Sequence, residues 1–247
     1  MASATQSSPY KNRILAAVPQ EDLDRFFSDL QPVSLAQRHV LYQVGAPFEY
    51  VYFLEAGVAS VLTSMTTGST IEVGMIGTEG VVGASALLGS EVSAQHVVIQ
   101  APGAALRMKV AECRTAFEQS AAVRTLVLRF IAALLDLSAQ TAACNRLHSI
   151  EQRCARWLLM ARDRLHGDAM PMTHEFLATM LGVRRAGVTE TVGEMQRAGL
   201  IRNGRGAVTI LDGKGLEAAA CECYGLDHAR LLRLAVRKER AGRPRSH

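Results

Sequence analysis

Met172–Ile210, MTHEFLATMLGVRRAGVTETVGEMQRAGLIRNGRGAVTI, is the stretch on which the fold turns. Thr173 suits an N-cap, with Glu175 in the first turn where a helix dipole favours an anion. Phe176, Leu177, Met180 and Leu181 supply one apolar face over about two turns. Gly182 allows a sharp reversal, and Val183 can plug the junction. Residues 184–198 then bring Val188, Val192 and Met195 to one side at i, i+4 and i+7, and Gly199 is placed as a C′ residue. Two helices joined by a short Gly-containing turn make a helix-turn-helix. Leu200-Ile201-Arg202 and Ala207 to Leu211, either side of Asn203-Gly204-Arg205-Gly206, predict a β-hairpin behind it, that is, a wing.

The chemistry on this frame suits DNA. A recognition helix offers its N-terminal residues to the major groove. Here these are Arg184, Arg185, Ala186, Thr189 and Glu190. Arg185 can take guanine O6 and N7 bidentately, and Glu190 can accept from cytosine N4 or orient an arginine. Thr173, His174 and Arg205 are candidates for holding phosphates, which set register without reading sequence.

Working outward, residues 111–166 contain neither Gly nor Pro and are rich in Ala, Leu and Arg, which predicts helix. Within it Val127, Ile131, Leu134, Ser138, Thr141, Asn145 and His148 recur at alternating steps of four and three, a heptad seam. Val123, Leu126, Phe130, Ala133, Leu137 and Cys144 form a second row beside it. The first row is expected to meet a partner helix, with Val127, Ile131, Leu134, Ser138 and Thr141 as the dimer interface; a core helix of a monomer is the alternative. Further back, Glu21 to Leu30 predicts a short helix. From Val33 to Met108, apolar runs at 40–42, 50–54, 58–62, 71–76, 81–82 and 96–99 are punctuated by glycines, as in an antiparallel roll.

The 247 residues are 49% hydrophobic and 20% charged, which supports a full core and argues against wholesale disorder. No 18-residue apolar window predicts a membrane span, and the N-terminus carries no secretion-signal pattern. The net charge of +4 divides into −4 over residues 1–112 and +8 over residues 113–247. An acidic module joined to a basic one points to a polyanionic partner for the second. The five cysteines are odd in number and irregular in spacing, which fits reduced thiols in the cytoplasm. Cys221 and Cys223, two apart on an expected helix, are predicted to point to different sides as ordinary thiols. No metal-spaced His/Cys cluster, Gly-x-Ser-x-Gly or phosphate loop is present, so neither a metal nor a catalytic residue is expected.

From about Val18 to Tyr224 the chain resembles the Crp/Fnr family of bacterial transcription regulators. The resemblance rests on Gly45, Val51-Tyr52-Phe53-Leu54, Gly57, Gly68, Ile76-Gly77-Thr78-Glu79-Gly80, Gly83, Arg153 to Leu159, and Thr173 to Ile201. It implies an α+β fold: a cyclic-nucleotide-binding-type antiparallel β-roll (a double-stranded β-helix), a long dimerisation helix and a C-terminal winged helix-turn-helix. The implied organisation is a flexible tail (1–17), the sensor roll (18–117), the dimerisation helix (118–148), the DNA-binding unit (149–224) and a basic extension (225–247), with a hinge near His148-Ser149. Implied partners are double-stranded DNA, a second copy of the chain and, for an activator, RNA polymerase.

Departures from the family pattern bear on the effector. Family members that bind cyclic AMP carry Gly-Glu for the ribose hydroxyl and an Arg ahead of Ser/Thr-Ala for the phosphate. Aligned here, Gly83 keeps the glycine, Ala84 replaces the Glu, and Val92 stands in the Arg position before Ser93 and Ala94; Ser138 falls where the long helix would contact the purine. A buried phosphate without a cation costs several kcal/mol. The roll is therefore expected not to bind cyclic AMP in the usual way, and no cofactor is predicted. The alternative is a cyclic nucleotide or another small ligand held by different contacts. His39 and His96 as haem ligands, and an iron–sulfur centre with Cys113 as the first cysteine, both fit poorly. The recognition helix keeps Arg185 but has Ala186 and Glu190 where the family commonly has Glu and a second Arg, which implies a different half-site. A ligand-binding subunit acting on a protein target is the rival outside DNA binding.

Overall fold

The structure, a computed structural model, describes residues 8–204 and 206–235. Arg205 and the basic run from Arg237 to Arg245 lie outside the described residues.

The chain opens with two short helices, α1 (Arg13–Ala17) and α2 (Gln20–Phe26). Asn12 anchors the first: its side-chain oxygen accepts from the amides of Ile14 and Leu15, and its Nδ2 donates to Leu54 O at 3.2 Å and Gly80 O at 2.9 Å. Ile14 and Leu15 are buried in the roll. The tail expected over 1–17 is thus corrected: its last residues are a docked helix, because a fully bonded Asn and two apolar side chains hold them there. The helix expected over 21–30 ends at Phe26.

The roll follows as β1 (Gln31–Leu35), β2 (Val40–Tyr42), β3 (Tyr50–Ser64), β4 (Thr70–Ile76), β5 (Val81–Val82), the one-turn α3 (Ala84–Leu87) and β6 (His96–Lys109). These strands form one antiparallel sheet in the order β1-β6-β3-β4, with β2 on β6 and β5 on β3. Residues 50–54 and 58–62, read separately from the sequence, are one strand bent at a bulge. Gly57 takes φ +88°, and a Cβ there would sit 2.7 Å from Ala101 O, so the two backbones close up only without a side chain.

Three helices come next: α4 (Val110–Gln119), α5 (Ala121–Leu147) and α6 (Ile150–Leu165). The helical stretch expected over 111–166 breaks at Ser120, whose hydroxyl caps α5 by accepting from Val123 N, and again at the hinge expected near His148-Ser149, where Ser149 and Gln152 form a capping box. The winged unit then adds β7 (Ala169–Pro171), α7 (His174–Leu181), α8 (Arg185–Arg197), β8 (Ile201–Gly204) and β9 (Ala207–Ile210), with β7 the third strand of the wing sheet. The described residues end in α9 (Gly213–Ala219) and α10 (Cys223–Ala235).

A second core is shared between units. Val58, Leu62, Met75 and Val98 of the roll pack with Leu137, Trp157, Leu158, Leu177, Val188, Val192 and Ile210. Polar contacts cross the same boundary: Arg164 Nε donates to Glu79 Oε1 at 2.7 Å, and Trp157 Nε1 donates to Glu72 Oε1 at 3.0 Å, all buried. Residue 225 does not begin a separate extension. It lies inside α10, where the fully buried Asp227 accepts from Arg156 Nη2 at 2.6 Å, and Arg156 also donates to Thr141 Oγ1 at 3.0 Å. Cys221 precedes α10, and its thiol turns to the same side as that of Cys223, contrary to expectation. Among the described residues no helix is long and apolar enough to cross a membrane.

Candidate nucleic-acid interface and pocket

Thr173 caps α7, its Oγ1 accepting from Phe176 N at 3.1 Å. Gly182 ends that helix at φ +64°, a left-handed conformation with little cost only for glycine. Arg184 is the N-cap of α8 and makes no side-chain capping bond, one residue off the expected start. Val188, Val192 and Met195 are buried as the spacing predicts, and Thr191 joins them. The same geometry turns Arg184, Arg185, Ala186, Thr189 and Glu190 to solvent. Arg185 Nε lies 3.9 Å from Glu175 Oε2 with both side chains about 70% exposed, a pair that water screens. Thr189 donates to Arg185 O at 3.0 Å, so the 3.0 Å contact with His174 Nδ1 requires the ring nitrogen to carry the proton. Sequence reasoning missed Gln196, whose side chain accepts from Asn203 N at 2.9 Å and fixes the wing to α8.

Between the roll and α5 lies a cavity of about 220 Å³, lined by Tyr42, Val73, Gly83, Ala84, Ser93, Gln95, Ile131, Leu134 and Ser138 among others. Among the described residues, none of the side chains lining it is charged. Gly83 takes φ +96° with the Tyr42 hydroxyl packed against it; that hydroxyl donates to Tyr50 O, and burial pushes its pKa up. The Ser138 hydroxyl is committed to Val73 O at 3.1 Å, and that of Ser93 to Gln95 O at 2.7 Å. Val92 and Ala94, expected in the pocket, are not: both are exposed, and Val92 bridges to Pro47 at the rim. Alternation along the loop turns Ser93 inward and its neighbours out.

The seam on α5 also needs correction. Val127 is 1% exposed within a single chain, Ile131 and Leu134 pack on the roll, and Thr141 meets Arg156. Of the second row, Val123, Phe130, Leu137 and Cys144 are buried in the same chain, and Leu126 and Ala133 are half-buried. The outward face is a third row at heptad spacing: Thr125, Leu128, Ala132, Leu135, Ala139 and Ala142, with Leu128 and Leu135 44% and 66% exposed. Periodicity shows that a helix has apolar rows; it does not show which of them the roll will cover.

The sequence model of the cyclic nucleotide-binding domain matches residues 32–120, and that of the Crp-like helix-turn-helix domain matches residues 152–219, together more than half of the chain. A transcriptional regulator of the Crp/Fnr family from Eubacterium rectale shares the fold at a TM-score of 0.67 and 17% identity, over 82% of this chain and 94% of that one. FixK2 of Bradyrhizobium japonicum does so at 0.67 and 16%, over 78% and 98%. A stretch of 48 residues is 46% identical to transcriptional regulator SdrP of Thermus thermophilus, over 19% of this chain and 24% of that protein. The chain thus spans about a quarter of the curated relative it matches. A cyclic-nucleotide-binding-type roll carried on a long helix ahead of a winged helix-turn-helix is the architecture of Crp-type regulators. The chain belongs to the Crp/Fnr family.

Proposed function

We propose that the protein is a DNA-binding transcription regulator that acts as a homodimer and reads a two-fold-related operator through α8. One observation carries this reading: the first two turns of α8 hold Arg184, Arg185, Thr189 and Glu190 in solvent while Val188 and Val192 lock the opposite side into the core. A rigid helix with a polar leading edge can enter a major groove and keep its register. The +8 balance of residues 113–247 supports a polyanion rather than a protein target. Dimerisation is assigned to the outward row Thr125, Leu128, Ala132, Leu135, Ala139 and Ala142, which would set the two α8 helices about 34 Å apart, one duplex turn. Selection from random duplexes should return a palindrome, with binding that weakens steeply as salt rises; no binding to any duplex at low ionic strength overturns the reading. Sedimentation should give a dimer, and Leu135→Arg should shift it towards monomer.

The roll is proposed to have given up cyclic AMP. Its cavity is uncharged and smaller than the usual ligand site of about 300–1,000 Å³. A cyclic phosphate placed there would be buried unpaired, at a cost of several kcal/mol. The pocket suits a small, weakly anionic or neutral ligand, or serves as scaffold. Calorimetric titration with cyclic AMP and cyclic GMP should show no binding, and micromolar affinity for either overturns this.

A further inference from the structure

The residues that the DNA reading leaves unused include a compact group of soft ligands. Cys144 lies in the last turn of α5, His148 is its C-cap, Cys221 precedes α10, and Cys223 opens it. One ligand atom from each of the four lies within 4.8 Å of all the others. Cys144 Sγ and Cys221 Sγ are 3.6 Å apart, and Cys223 Sγ is 3.7 Å from His148 Nδ1. A tetrahedron built on Zn–S of about 2.3 Å and Zn–N of about 2.0–2.1 Å has edges of about 3.8 Å between sulfurs and about 3.6 Å between sulfur and nitrogen.

The surroundings are those of a ligand set. His148 Nε2 is 3.2 Å from the Glu222 carboxylate. A proton held on Nε2 by that oxygen leaves the Nδ1 lone pair free and directed at the sulfurs, as in carboxylate–histidine–metal sites. Gln140 Nε2 donates to Cys223 Sγ at 3.0 Å. Nearby, the buried Arg153 has no carboxylate partner among the described residues, and its Nε has no hydrogen-bond acceptor.

We infer that Cys144, His148, Cys221 and Cys223 bind one zinc ion in a closed, tetrahedral structural site. On binding, the three thiols release their protons to water, and three thiolates with one divalent cation leave a net charge of −1. With four protein ligands no coordination position is open, so the ion's role is to clamp. It ties the end of α5, at the hinge into α6, to the start of α10. Crossing from Cys144 to Cys221 needs two distant parts of the chain, so no local spacing announces the site.

The test needs no DNA, so its failure would leave the regulator reading standing. Full-length protein without a histidine tag, purified under reducing conditions, should carry about one zinc per chain by elemental analysis. Apo-protein titrated with cobalt(II) should develop the intense visible bands of a tetrahedral, thiolate-ligated ion. Cys223→Ser and His148→Ala should lose the metal, whereas Cys113→Ala, far from the cluster, should keep it. Chelation of the unmutated protein should lower its Tm, a readout that does not depend on a variant folding. No stoichiometric zinc together with the weak spectrum of octahedral cobalt overturns the proposal. So does a Cys144–Cys221 disulfide in place of metal, or metal content unchanged in both ligand variants.

Discussion

The interior of the roll and the seam where α6 meets the roll, α5 and α10 are built on opposite principles. The roll packs Leu35, Phe53, Leu54 and Ile99 against one another, with no charge among them. The seam buries Glu72, Glu79, Arg153, Arg156, Arg164 and Asp227. Apolar packing tolerates imprecise partners, because dispersion and the hydrophobic effect have no direction. A buried ion pair does not: each member costs several kcal/mol to desolvate and recovers it only when its partner sits in place. The roll therefore stabilises, whereas the seam selects one docking of the winged unit against α5 and the roll.

The largest expected effect tests that contrast directly. Asp227→Ala strands the Arg156 guanidinium in the seam and should cost about 3–5 kcal/mol of unfolding free energy, against about 0.5–1.5 kcal/mol for Ile99→Val in the roll. Urea titration of both variants measures the difference, and equal losses would erase the distinction between the two regions.

Glu72 sharpens it through pH. Burial raises its carboxyl from 4.5 to about 7, although the Trp157 hydrogen bond and the charges of Arg164 and Arg156 act to lower it. Its second oxygen is buried without a partner, as suits a carboxyl that keeps its proton. The folded state then holds a proton that the unfolded chain has released, so stability should fall as pH rises from about 4.5 through about 7, by on the order of 3 kcal/mol. Glu72→Gln keeps an acceptor for Trp157 and should flatten that slope; denaturation across the pH range decides it, and an unchanged slope places the titration elsewhere.

Arg185 belongs to neither region and should behave accordingly. Arg185→Ala should leave unfolding free energy within about 0.5 kcal/mol while weakening binding to the selected duplex by about 1–3 kcal/mol and relaxing preference at one base pair. Footprints unchanged in both affinity and site preference would remove Arg185 from the readout.

The winged unit was legible because its signals are local. Thr173, Gly182, Val188, Val192 and Gly199 each do in the structure what their spacing predicts. Strand positions in the roll were equally plain, yet two runs proved to be one strand, since a bulge at Gly57 and a turn at glycine look alike in sequence. The pocket was half legible: Gly83, Ala84, Ser93 and Ser138 line it, but which loop residues face inward depends on a bridge to Pro47.

The sequence by itself determined the order of units and the face of α8 left open, because helical periodicity, turn chemistry and residue identity act over a few neighbouring positions. Only the tertiary structure decided which row of α5 stays exposed, that α10 packs back through Asp227, and that three cysteines and a histidine meet. Those outcomes join residues far apart in the chain, 65 positions for Ser138 and Val73 and more than 70 for the contacts of Asp227 and of the cysteines, and a periodic row does not name the distant segment that covers it.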